Sequence, residues 1–151
     1  MLAQAQYLFY KKAMDAGMKA AVLAKTAMQV SEYFKKAFEL SQTNSGLKTF
    51  DNSKFATILI YHTYYFEGMA YYVLAQEEFK QASNAGKGMG KAVGYFKATA
   101  TVFEKAKQVV YSIPSNYQEN FNMKYQELCK QRDKAINENK TIYFEKEVPE
   151  A

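Results

Sequence analysis

Cysteine, histidine, arginine and proline are nearly missing from this chain, and each shortage removes a class of function. Its 151 residues contain one cysteine, Cys129. That excludes an intramolecular disulfide framework and fits a reducing compartment. His62 is the only histidine, far from Cys129 in sequence, so no His/Cys zinc set can be assembled. The Glu-x-x-His pairs of di-iron carboxylate bundles do not occur. A Cys129–His62 nucleophilic pair stays open on sequence alone, but no orienting motif surrounds either residue. Glu77 and Glu78 fall on a solvated helix face and suggest no acid–base pair. The reading is therefore of a non-enzyme with no metal site and no cofactor.

The positive charge has a similar bias. The net charge is +5, and Arg132 is the only arginine. Dedicated nucleic-acid readers use arginine for bidentate contacts to phosphate and guanine, so nucleic acid is not an expected partner. A lysine-rich surface suits solubility, acidic peptides or anionic lipid equally well. No uncharged apolar run of about 18 residues exists to suggest a transmembrane helix. The opening "MLAQAQYLFYKKAM" lacks a basic stretch ahead of an apolar block, so a secretory signal is not expected.

Only Pro114 and Pro149 interrupt the backbone, and helix-favouring Ala, Lys, Glu, Gln and Met are plentiful. The spacing predicts an all-α fold, an antiparallel bundle or solenoid of about five helices with a tetratricopeptide-like centre. The first helix covers about Leu2 to Ala16 and breaks near Gly17; the second covers about Lys19 to Gln42. The loop "TNSGLKTFDNS" follows, and Asn52 or Ser53 caps a third helix to about Ser83. "NAGKGMG" forms the next turn. The fourth helix stops near Ser112, before Pro114, and the fifth runs from Ser115 or Asn116 to about Asn137. Residues 139–151 are read as an extended tail, and 1–151 as one helical unit. "GKGMGKAVG" is not a phosphate loop: Ala85 and Ala92 stand where a glycine and a Ser or Thr are required.

The third helix carries two apolar stripes. Ile58, His62, Tyr65, Met69, Tyr72, Gln76 and Phe79 make one; Phe66, Ala70 and Val73 make the other. A helix apolar around most of its circumference is central, and Gly68 permits the close approach of a neighbouring backbone. His62, on such a stripe, is expected to be a core histidine satisfied by a tyrosine. The fifth helix shows one stripe: Tyr117, Phe121, Tyr125, Leu128, Arg132 and Ala135. In the second, Leu23, Ala27, Val30, Phe34 and Phe38 read as core, beside a weaker stripe of Val22, Thr26, Gln29 and Tyr33. Phe9 of the first helix and Val22 can then lie side by side across the Gly17 turn, with Lys12, Lys19 and Lys25 at the margin. Such a strip suits an amphipathic helix with acidic flanks. Burial of both faces by neighbouring helices accounts for the same periodicity.

"MLAQAQ", "LFYKKAM" and "MKAAVLAKTAMQVSEYFKKAF" together resemble the middle of the BRO domain of the ALIX family of endosomal adaptors. "INENKTIYFEKEVP" resembles the segment near that domain's C-terminal end. The resemblance implies a curved helical domain without catalytic activity, cytoplasmic and peripheral on endosomal membranes. It implies binding to the C-terminal amphipathic helix of Snf-seven-type ESCRT-III subunits. The family's binding strip, matched by motif, falls on Phe9, Lys12, Val22 and Thr26. Its tail tyrosine, a kinase-responsive contact site in some relatives, falls on Tyr143. Thr26 departs from the family pattern, which has a larger aliphatic residue there; a lost contact of that kind costs about 1–3 kcal/mol. The chain resembles a partial BRO domain lacking the N-terminal lobe, and self-association through the surface left uncovered is expected. Two other readings stand beside this one: a lysine-rich module for anionic membrane surfaces, and a purely structural bundle.

Overall fold

In the computed structural model, residues 2–43 and 52–145 are described, with side chains over 4–40 and 56–145. Five helices follow one another: α1 (Leu2–Asp15), α2 (Ala20–Thr43), α3 (Asn52–Ala85), α4 (Met89–Val110) and α5 (Ser115–Glu138). No strand occurs among the described residues. Each helix packs on its sequence neighbours, with the most extensive contacts between α2 and α3 and between α3 and α4. The result is a stack of antiparallel helices, as the spacing predicts.

The breaks follow from backbone chemistry. Gly17 ends the first hairpin's leading helix with φ 68°, a left-handed conformation that costs glycine nothing. The Met18 amide then reaches back to the Ala13 carbonyl at 3.2 Å, satisfying a carbonyl that the helix end leaves without a partner. Pro114 precedes α5, where its missing amide costs no helical bond. The loop expected between α2 and α3 lies outside the described residues, and so do the side chains of Asn52 and Ser53, the expected caps.

Two apolar clusters meet on α3. Leu59, Phe66 and Ala70 join Tyr10 of α1 and Ala27, Val30 and Phe34 of α2. Tyr61, Met69, Tyr72 and Ala75 join Phe96 and Phe103 of α4 and Phe121 and Leu128 of α5. The two stripes read on α3 thus face different partners. Gln76, on the first stripe, is exposed and bonds Gln131 at 3.2 Å. Rings link the layers: Phe34 stacks on His62 at 4.7 Å, Tyr65 on Phe103 at 5.9 Å, and Phe103 meets Phe121 edge-on at 5.6 Å. Tyr72 Oη donates to Glu127 at 3.0 Å, tying α3 to α5.

Gly68 does admit a close neighbour, but that neighbour is a ring and not a backbone. A Cβ added there would overlap the edge of Phe103. That ring is fully buried and stacked on Tyr65, so it has no room to retreat. The extended tail expected from residue 139 onward does not hold over its first part. Asn139–Tyr143 form a π turn continuing α5, and Phe144 takes φ 56°. The turn forms because Asn139 is buried and its side chain closes a ring of bonds with Glu145, a partner that local spacing does not reveal. Residues 146–151 lie outside the described residues.

Gly68→Ala is predicted to lower stability by about 1–3 kcal/mol, outweighing the helix-propensity gain of about 1 kcal/mol. In a Phe103→Leu background the same substitution costs less. Denaturant midpoints of the two single variants and the double variant check this.

Candidate partner-binding surface

Helix α1 is anchored along one face. Tyr10 and Ala13 are buried there, and Tyr7 and Tyr10 meet Phe66 of α3 edge-on at 5.5 and 5.8 Å. Tyr10 Oη is buried without a hydrogen-bond partner, and burial raises the pKa of its phenol. The rest of α1 is open to solvent. Leu8 is 62% exposed and Phe9 55%, and across the turn Met18 is 46% and Val22 42% exposed.

Helical spacing puts Phe9 and Val22 toward one seam. Gln6 of α1 donates to Gln29 of α2 at 2.8 Å, an exposed bridge that marks where the two helices meet at the surface. Phe9 stands about one helical turn from Gln6, and Val22 about two turns from Gln29, both toward Gly17. Lys12 follows Phe9 by three residues, and Lys25 follows Val22 by three, which keeps each on its helix's seam face. Lys12, Lys19 and Lys25 are all exposed. The hairpin therefore exposes Phe9 and Val22 with lysines spaced beside each.

Thr26 does not share that exposure. It is 5% exposed, and its hydroxyl donates to the Val22 carbonyl at 2.8 Å. The backbone bond satisfies a hydroxyl that points into the fold, so the expectation that Thr26 forms part of the strip is corrected. Met18 and Leu8 were not singled out by spacing, although both are exposed; Met14, which shares a spacing with Tyr7 and Tyr10, is exposed as well. Met18 lies four residues before Val22, and that spacing is the one sequence signal that could have found it.

A second feature opens behind the hairpin. A cleft of about 990 Å³ runs between α1, α2, α3 and α5, lined by Tyr7, Phe34, Tyr61, His62, Tyr65 and Tyr117 among others. His62 is stacked on Phe34 and meets Tyr117 edge-on at 5.5 Å. Its Nδ1 is buried and has no hydrogen-bond partner. The expected satisfaction by a tyrosine is therefore corrected at this nitrogen: the surrounding tyrosines present rings to the imidazole. Burial lowers the His62 pKa to about 4, keeping it neutral. Cys129 lies twelve residues beyond Tyr117 on α5, about 18 Å along the axis, so the fold does not bring it to His62. No group of three His, Cys, Asp or Glu is suitably placed to hold a metal among the described residues.

Tyr143 packs against the α3–α4–α5 core, and its hydroxyl donates to the Ala82 carbonyl at 3.4 Å. Ile142 and Phe144 on either side are exposed.

The fold and its surface define a class: a stack of antiparallel helices with one weakly covered hairpin that displays apolar side chains. The BRO1-like domain matches the chain over residues 1–151, and the chain belongs to that family. Among solved structures, it is similar to one described as an ALIX BRO1 CHMP4C complex, with TM-score 0.78 and 24% identity. The match covers 99% of this chain and 38% of that one. It is also similar to ALIX in complex with the SIVmac239 PYKEVTEDL late domain, with TM-score 0.76 and 23% identity. There the match covers 99% of this chain and 19% of the other. The chain thus spans well under half of either. A search of curated proteins finds no match.

A lowered His62 pKa has a defined sign. Below the ordinary value of 6.5 the unfolded chain takes up a proton that the folded chain refuses until about 4. The unfolded state then binds more protons, so stability is lost as the pH drops through that window. Relative to pH 7, wild type is predicted to lose about 1–3 kcal/mol more than His62→Gln by about pH 4.5. Denaturant titrations of both proteins at the two pH values measure the difference.

Proposed function

We propose that this chain is a non-catalytic protein-binding module. Its α1–α2 seam receives the C-terminal amphipathic helix of an ESCRT-III subunit. The observation that carries this reading is the exposure of Phe9 and Val22, 55% and 42%, on the two helices of one hairpin, with exposed lysines beside them. Membership of the BRO1-like family supports it, as does a similar ALIX BRO1 structure described as a complex with CHMP4C. In this reading the module acts in the cytoplasm, peripherally on endosomal membranes, in sorting and membrane remodelling.

The physics is that of a helix laid in a shallow groove. Apolar anchors of the incoming helix cover Phe9 and Val22, and Met18 extends the strip. Removing apolar surface from water supplies about 25 cal/mol per Å². Acidic residues flanking the anchors pair with Lys12, Lys19 and Lys25. Each such exposed pair contributes only about 0–1 kcal/mol, so they set orientation more than affinity. Because Thr26 is buried, the aliphatic contact falls on Val22 and not on its neighbour one turn on.

Two rival readings part from this one by salt dependence and stoichiometry. Lysines binding an anionic bilayer give association that falls steeply with ionic strength. Among the described residues, no helix is long and apolar enough to cross a membrane. A second copy seated on the same strip gives concentration-dependent sedimentation in place of a one-to-one complex.

Calorimetric titration with the C-terminal helix of an ESCRT-III subunit is predicted to give micromolar-range binding with weak salt dependence. Phe9→Asp weakens it at least about tenfold while leaving helicity and melting temperature close to wild type, because the ring is more than half exposed. Thr26→Val leaves affinity unchanged. Equal binding by wild type and Phe9→Asp would sink the proposal.

A further inference from the structure

Helix α4 starts without a capping side chain of its own. Gly88 precedes it with φ 100°, and glycine has no side chain with which to accept from the first amides. The acceptor comes from the other end of the chain. Glu145 accepts from the Gly88 amide at 2.8 and 3.1 Å through its two oxygens, and from the Met89 amide at 2.8 Å. Its negative charge also sits at the positive end of the α4 dipole.

Glu145 is held in turn. Asn139 is 6% exposed; its side-chain amide donates to the Glu145 carbonyl at 2.8 Å, and its oxygen accepts from the Glu145 amide at 3.1 Å. Tyr143 donates to Ala82 in the last turns of α3. Phe144 adopts a left-handed φ of 56°, unusual for a bulky residue and kept only where its surroundings dictate it.

We infer that residues 139–145 form a strap that supplies the missing cap of α4. The C-terminal turn and the start of α4 then fasten and release as one unit. Drawing the strap away uncaps α4 and removes Tyr143 from the end of α3. While it is fastened, Ile142 and Phe144 are held outward in a fixed turn, so a partner meeting them meets an ordered surface. The strap therefore links events at the C-terminal end of the chain to the α3–α4 turn, independently of the α1–α2 seam.

Amide hydrogen exchange of the whole chain, read by NMR, tests this on wild type, Glu145→Ala and Asn139→Ala. The expected result in both variants is exchange about five- to tenfold faster at Gly88 and Met89. Amides 140–145 speed up with them, and those of Ala27–Phe34 in α2 keep their protection. Asn139→Ala is the sharper case, because the side-chain bonds it removes go to the Glu145 backbone and reach α4 only through the strap. Loosening of 140–145 with Gly88 and Met89 still protected would overturn the inference. So would acceleration of the α2 amides as well, since the strap would then belong to the global core and not to a separable unit.

Discussion

Helix α3 cannot stand on a surface. Its apolar residues run around most of its circumference, so it must be covered from at least two sides. Phe66 and Ala70 require α2, and Met69, Tyr72 and Ala75 require α4 and α5. The rest of the architecture follows from that demand. The linked rings from Phe34 through His62, Phe66 and Tyr65 to Phe103 and Phe121 run across three interfaces. Aromatic contacts of this kind contribute about 0.5–1.5 kcal/mol each beyond their buried area. Gly68 lets Phe103 come close enough to join them.

Once α2 and α4 have satisfied α3, the outer helices have less to cover. α5 still lays Phe121, Leu128 and Ala135 onto the core. α1 adds Tyr10, Ala13 and the edge of Tyr7, and leaves Leu8, Phe9 and Met14 in solvent. Scattered exposed apolar residues are ordinary, whereas a contiguous group marks an interaction surface; the latter role is the one proposed for Phe9 and Val22. The demand that α3 places on the core and the display function proposed for α1 are two sides of one allocation of apolar surface.

The helices were legible because their signals are local. Gly17, Gly86, Gly88 and Pro114 sit at the breaks, and the stripes on α2, α3 and α5 face the core as spacing implied, apart from exposed Gln76 on α3. Depth was not legible. Periodicity assigns Thr26 and Val22 to one stripe, yet a small hydroxyl side chain can satisfy itself on its own helix and sink, while Val22 stays at the surface. The Nδ1 of His62 lacks its partner because every neighbouring tyrosine offers a ring face or edge, an orientation that spacing cannot specify. The tail was misread for a different reason. Its turn depends on Glu145 reaching amides 56 and 57 residues away, and no local pattern encodes that contact. The family resemblance placed the strip on Phe9, Lys12, Val22 and Thr26; the first three are exposed and Thr26 is buried.

The role proposed for the first hairpin, display of Phe9 and Val22 to a partner helix, is distinct from any role of the aromatic cleft behind it. An NMR footprint of an ESCRT-III C-terminal helix on the isotopically labelled chain tests this most directly. Shifts are expected to concentrate at Phe9, Lys12, Met18 and Val22, with Tyr61, His62 and Tyr117 of the cleft undisturbed. Shifts confined to the cleft, with the α1–α2 seam unchanged, would contradict it.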